Sequence, residues 1–177
     1  MESFTKITEE LYEKEETDIE KYLCHKVKVM HTGRQMDFSC NIDEALFDCE
    51  SPIEQLLSIE FEVMGLTNLV MYNPFIDVLA VEKQKKIKCG KNTYRVDFYI
   101  PVIYENQESI RFVVECDGHE FHQKTKEQVE KDNIRMRDLQ KEGYEIIRFS
   151  GTEVWHKPRK CATEVLNIIL SKCKYIK

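Results

Sequence analysis

A chain of 177 residues is long enough for one ordinary domain with its own core and too short to expect two. Hydrophobic residues make up 42% and charged residues 33%, which excludes a disordered chain, and no apolar run approaches the roughly 18–20 residues needed to span a bilayer. The formal net charge of −6 lacks the basic excess usual in nucleic-acid binders, but it is uneven: residues 1–20 hold eight acids against Lys6 and Lys14, and the remainder balances at 24 basic and 24 acidic residues.

The start of the chain has neither a basic segment nor an apolar stretch, so no secretory signal is read there. Seven cysteines, an odd number with no Cys-x-x-Cys pair, fit reduced thiols, and a cytoplasmic location is expected. Residues 1–50 are read as an acidic, partly helical N-terminal extension and 51–177 as the folded domain. In that domain the first helix is well marked. Ser51 is a candidate N-cap, Pro52 suits the first helical position, and Glu54 stands three residues after the cap. Ile53, Leu56, Leu57, Phe61 and Met64 follow at helical spacing up to Gly65.

Between about 75 and 117 the apolar period shifts toward two. Strands are predicted near 75–82, 93–104 and 109–117, with turns at Lys88–Asn92 and Glu105–Glu108. Lys83, Lys85, Lys86, Lys88, Lys91 and Arg95 form a basic stretch that serves equally as a solvated face or a phosphate-binding one. A charge-rich helix is predicted from Gln123 to Glu142 and stops before Gly143. Tyr144–Phe149 reads as a short buried strand, and Lys160–Cys173 as a closing amphipathic helix. The predicted order is therefore α-β-β-β-α-β and a final helix, an α/β fold.

The chemistry falls on the middle strands. Val96, Phe98 and Ile100 alternate with Arg95, Asp97 and Tyr99, and Glu115 occupies the same phase of the following strand as Arg111 and Asp117. A hairpin that pairs Asp97 with Glu115 has its midpoint at Asn106, inside the predicted turn. The two carboxylates then oppose each other on one polar face, with Cβ atoms about 4.5–5.5 Å apart, where like charges destabilise a sheet. Such a pair calls for a cation or a raised pKa. Oxygen ligands of this kind favour Mg²⁺, Mn²⁺ or Ca²⁺. The alternative is an exposed face on which these acids pair with Arg95 and Arg111.

Asp97 in Tyr-Arg-Val-Asp-Phe and Glu115 in Val-Val-Glu-Cys-Asp-Gly-His resemble the D…ExK core of the restriction-endonuclease-like, PD-(D/E)XK nuclease superfamily. More narrowly, Arg-Val-Asp-Phe, Val-Glu-Cys-Asp-Gly-x-x-x-His, Asp-x-x-Arg and Gly-Tyr-Glu-Ile-Ile-Arg-Phe, in that order over roughly 51–155, resemble a branch related to the very-short-patch-repair endonucleases. The resemblance implies a mixed central sheet flanked by helices and a nuclease-like domain over 51–177. It also implies metal-dependent phosphodiester hydrolysis with Mg²⁺ or Mn²⁺, and a nucleic-acid substrate, DNA ahead of RNA. Carried over, it makes Asp97 and Glu115 the metal ligands, with the carbonyl of Cys116 a further one. Glu54 corresponds to an extra acid on the leading helix, and it equally fits a simple cap.

This sequence departs from the pattern at one position. Asp117 stands where the superfamily has lysine, so Glu-x-Asp replaces Glu-x-Lys. Asp117 is read as a third metal ligand or a group supporting the ligands. The basic role passes to His122, Lys124 or Lys126 at the mouth of the next helix. Zinc is disfavoured at Cys116, His119 and His122, because Cys116 should point to the sheet face opposite Glu115. Asp132 and Arg135 read most simply as a surface pair, with a substrate-facing role left open by the resemblance, and Arg148 as either a phosphate contact or a structural bridge. The expected activity is endonucleolytic. The alternative is a catalytically inactive nuclease-fold module that binds nucleic acid or a protein partner, with a homodimer among the assemblies to consider.

Overall fold

The computed structural model of the protein describes residues 49–66, 76–104, 109–117 and 125–173. Helix α1 spans Pro52–Val63 and begins as its sequence prescribes. The Ser51 hydroxyl accepts the Glu54 N–H at 3.3 Å, and Pro52 occupies the first turn, where its missing N–H has no helical partner to lose. Gly65, at φ +63°, takes the left-handed conformation just past the helix end.

Five strands follow: β1 (Ile76–Leu79), β2 (Glu82–Cys89), β3 (Asn92–Tyr104), β4 (Ser109–Asp117) and, after helix α2 (Lys126–Lys141), β5 (Tyr144–Ser150). The sheet runs β1-β3-β4-β5, with β2 also paired to β3. Every pairing is antiparallel except β4 with β5, whose parallel alignment requires the α2 crossover between them. Helices α3 (Gly151–His156) and α4 (Pro158–Cys173) close the described chain.

The result is a mixed sheet between two helical layers. On one face, Leu56, Leu57 and Phe61 of α1 join Val154 of α3 and Val165 and Ile169 of α4 over Phe98, Ile100, Phe112 and Val114. Phe61 meets Phe98 edge to face with ring centroids 5.4 Å apart. On the other face the core is smaller: Leu139 of α2 covers Ile87, Cys89, Val96 and Val113. Such a mixed α/β sheet flanked by helices is compatible with a restriction-endonuclease-like core.

Four expectations are corrected. The strand predicted at 75–82 is two short strands, and β2 runs on through the lysine-rich stretch to Cys89, so the intervening turn narrows to Gly90–Lys91. Lysines hide this strand because β2 pairs on one side only with β3 among the described residues, and an edge strand tolerates them. The helix predicted from Gln123 starts at Lys126, where Thr125 and Gln128 form a reciprocal capping box. The closing helix starts at Pro158, preceded by α3, which carries its own Ser150–Glu153 capping box. Finally, the alternation in β3 is broken. Val96 faces α2 while Phe98 faces α1, so the two residues lie on opposite faces. Asp97 sits between them, at the slip. The turn predicted at 105–108 and most of the extension over 1–50 lie outside the described residues.

Candidate active site

The slip at Asp97 coincides with two breaks in pairing. Along β2 and β3 the pairs run Lys83–Phe98 and then Lys85–Val96, so the rung that would join Gln84 to Asp97 is missing. Gln84 there has φ +51°, a left-handed backbone that glutamine rarely adopts, and such strain collects at functional positions. Along β3 and β4 the ladder runs from Ile103–Ser109 to Phe98–Val114. Continued one step in the same register, the ladder would set Asp97 opposite Glu115, the pair that the hairpin arithmetic selects. There the Cys116 N–H donates to Asp97 Oδ2 at 2.7 Å, so a side-chain carboxylate takes a main-chain donor just past the last pair of the ladder.

Glu115 is 4% exposed, and Asp97 is half-buried beside it. Burial pushes the Glu115 carboxyl up to about 7; Arg135 pulls against that shift and Asp97 adds to it. Burial likewise pushes Asp97 up to about 6, against the Cys116 N–H, with Glu54 adding to the rise. The influence of Glu54 and Asp117 on Asp97, and of Asp97 on Glu115, marks one region of converging negative charge.

Two arginines answer it. Nη2 of Arg135, on α2, donates to Glu115 Oε1 at 2.7 Å and also to the carbonyl of Arg95. Arg148, opposite Glu115 on β5, holds both oxygens of Asp117, with Nε to Oδ2 at 3.0 Å. The expected alternative partners go elsewhere. Arg95 pairs with Glu50, while Arg111 bonds the Glu142 carbonyl and stacks over Tyr144. Arg135 therefore does not simply pair with Asp132 on the surface. Asp132, Arg135 and Leu139 share one stripe of α2, and the burial of Leu139 turns that stripe toward the sheet. That spacing was the available signal for Arg135. Gln84 offered none, because glutamine gives no hint of a left-handed backbone.

Glu54 is 7% exposed and well supplied with donors. Its oxygens accept the Ser51 hydroxyl at 2.6 Å, the Glu50 N–H at 3.0 Å and the Gln84 amide at 2.6 Å. The capping role and the place beside Asp97 thus belong to the same side chain. The Cys116 side chain packs against the larger core, and burial pushes its thiol well up, with Asp97, Glu54 and Glu115 adding to the rise, so it stays protonated. His119, His122 and Lys124 lie outside the described residues; Lys126 opens α2 and is exposed.

Among the described residues no three His, Cys, Asp or Glu side chains come close enough together to hold a metal ion. What the structure offers is a pair of neighbouring carboxylates, Asp97 and Glu115. Mg²⁺ commonly binds through one or two carboxylates, with water and substrate phosphate completing its shell. In both Asp97 and Glu115 one oxygen is engaged, and the second accepts no hydrogen bond among the described residues. A largely buried acid pair with unsatisfied oxygens fits such an ion.

No helix among the described residues is long and apolar enough to cross a membrane. No curated protein and no solved structure matches the chain. A family model does match: REase_MTES_1575, over residues 77–169, just over half of the chain and including β3, β4, α2 and β5. Sequence motif, sheet order and family match agree, and the chain belongs to this restriction endonuclease-like family.

Proposed function

We propose that the protein is a metal-dependent endonuclease that hydrolyses phosphodiester bonds in DNA, with Asp97 and Glu115 holding Mg²⁺ or Mn²⁺. The observation that carries this reading is the meeting of these two carboxylates at the parting of β3 and β4, both pushed toward neutral pH by burial. A divalent ion there would neutralise phosphate charge and acidify a bound water. The Cys116 carbonyl is the further ligand. Asp117 keeps a metal-ligand role only where Arg148 releases one of its oxygens. Glu54 adds negative charge beside Asp97 from a carboxylate fixed by three donors. His122 and Lys124 remain candidates for contacts to the phosphate. Kinship with the very-short-patch-repair endonucleases belongs to the same proposal and rests on motif order. So does a reducing, cytoplasmic setting, which the free thiols of Cys89, Cys116 and Cys161 favour.

One observation favours a second reading. Glu115 and Asp117 are both already neutralised by arginines, as an inert binding module for nucleic acid or protein would have them. Incubating a labelled duplex and a labelled RNA with purified protein in Mg²⁺, Mn²⁺ and EDTA decides between the two. The nuclease reading expects metal-dependent cleavage that vanishes in the Asp97→Asn, Glu115→Gln double variant. Binding without cleavage under every condition would leave the module.

A further inference from the structure

The Glu-x-Asp sequence of β4 leaves the superfamily's cation without an owner, and the arrangement of side chains around Glu115 supplies one. Asp117, at the lysine position, faces Arg148 with both oxygens, which commits that guanidinium to it. Arg135 is differently placed. It reaches Glu115 Oε1 from α2, the helix over that face of the sheet, through Nη2 alone, and the same nitrogen bonds the Arg95 carbonyl. Its Nε and Nη1 make no hydrogen bond to the described residues, and its side chain is 25% exposed. The fork geometry of a guanidinium matches a phosphate through two adjacent nitrogens, and among the described residues two donor nitrogens have no partner. Leu139, one helical turn on and fully buried, fixes the height from which Arg135 reaches in.

We propose that Arg135 replaces the missing lysine of the motif: it is the counter-ion of Glu115 in the metal-free protein and the phosphate-binding catalytic cation once a divalent ion holds Glu115. This rests on the reading of Asp97 and Glu115 as a metal site. Two cations held by one carboxylate repel each other, so Arg135 would give up Glu115 Oε1 as an ion is taken up on that carboxylate, and its donors would turn to the phosphate. The cation is thereby withheld from the phosphate until metal is present. No covalent bond changes in this exchange.

The consequence is a pair of effects of opposite sign. Removing the guanidinium removes a competitor for Glu115, so Arg135→Gln should bind Mn²⁺ about three- to tenfold more tightly than the native chain in titration calorimetry. The same variant should cleave a labelled duplex roughly 10²–10³-fold more slowly, the scale on which loss of a transition-state donor is felt. Arg135→Lys should keep Mn²⁺ affinity within about threefold of native and retain part of the activity. A merely structural arginine would weaken both properties together. Should Arg135→Gln not fold, the native chain serves: the Arg135 Nε–H resonance, assigned with Arg135→Lys, should move as Mg²⁺ saturates the site. The proposal is overturned if Arg135→Gln binds Mn²⁺ no better than native, cleaves within tenfold of it, or if the resonance stays still at saturation. A native chain that binds no Mn²⁺ would overturn the metal site itself, and this inference with it.

Discussion

Asp97 and Asp138 are two carboxylates at the same strand, and the protein treats them in opposite ways. Asp138, on α2, accepts the Tyr94 hydroxyl at 2.7 Å, the Asn92 amide at 3.2 Å and the Lys141 ammonium at 3.4 Å. The Tyr94 hydrogen bond above all holds its carboxyl below the usual range. Asp97 receives the Cys116 N–H, yet burial and the neighbouring acids carry it up to about 6. One acid has donors gathered round it and stabilises the docking of α2 on β3. The other is drawn into an acidic neighbourhood with fewer donors than a folded protein needs for its own stability. Burying charge in this way is unfavourable unless a cation compensates it. On the proposed reading of the site, the difference separates a structural carboxylate from one held for a ligand.

The largest expected effect that sharpens this contrast is on catalysis. Asp97→Asn and Glu115→Gln should each lower Mn²⁺-dependent duplex cleavage by at least about 10²-fold, whereas Asp138→Asn should leave it within a few-fold of native. Equal losses in all three would erase the distinction. Next comes stability in EDTA. Glu115→Ala strands the Arg135 guanidinium and should destabilise the fold by roughly 2 kcal/mol, discounted for its partial exposure, and visible as a fall of several degrees in Tm. Asp97→Asn goes the other way. Asparagine still accepts the Cys116 N–H while the buried charge is gone, so the metal-free Tm should rise by a few degrees, on the order of 1 kcal/mol. A clear fall would make Asp97 a structural residue like Asp138.

The pH dependence separates the two sites by sign. Asp97 and Glu115 have folded pKa values of about 6 and about 7, above their ordinary 3.8 and 4.5. Between those limits the folded state binds more protons than the unfolded one. The metal-free protein should therefore be most stable on this account below the ordinary carboxylate range. It should lose that stability as pH rises toward 7 and level off above. The Asp97→Asn, Glu115→Gln double variant should flatten this loss in melts from pH 4.5 to 7.5. Saturating Mn²⁺ should reverse the slope, because the ion needs both acids deprotonated. Asp138, with its lowered pKa, contributes stability above the ordinary aspartate range that is lost as pH falls through its folded value. The smallest effect expected is that Tyr94→Phe shifts the acid limb of unfolding slightly upward in pH and leaves the neutral limb alone.

Much of the architecture was legible because its signals are local. Ser51, Pro52 and Glu54 announce α1 within four residues, and Gly143, at φ +80°, ends α2 where expected. The register of the β3–β4 hairpin was legible for a different reason: a hairpin's register is a sum, and the expected 97 with 115 has the same sum as the observed pair Phe98 with Val114. Partners that depend on the α2 crossover were not legible. Arg135 lies 20 residues from Glu115 and Arg148 lies 31 from Asp117, and nothing local ties either pair together. Strand β2 was masked by its lysines. The slip at Asp97 was masked because strict alternation puts Val96 and Phe98 on one face, and the kinked backbone at Gln84 and Asp97 puts them on two.

The missing rung between Gln84 and Asp97 also bears on solubility. Among the described residues β2 pairs only with β3, so its other side presents main-chain donors and acceptors to any extended segment that approaches. A straight edge of eight residues would be a template for strand addition. With φ at +51°, Gln84 turns its peptide groups out of line two residues into the strand and interrupts that template. Lys83, Lys85, Lys86 and Lys88 add mutual repulsion between copies. Among the described residues, the one that bends the sheet at the acids thus also interrupts this edge. Substituting Gln84 with valine, which resists a left-handed backbone and favours strands, should straighten this edge and make concentrated protein prone to assemble.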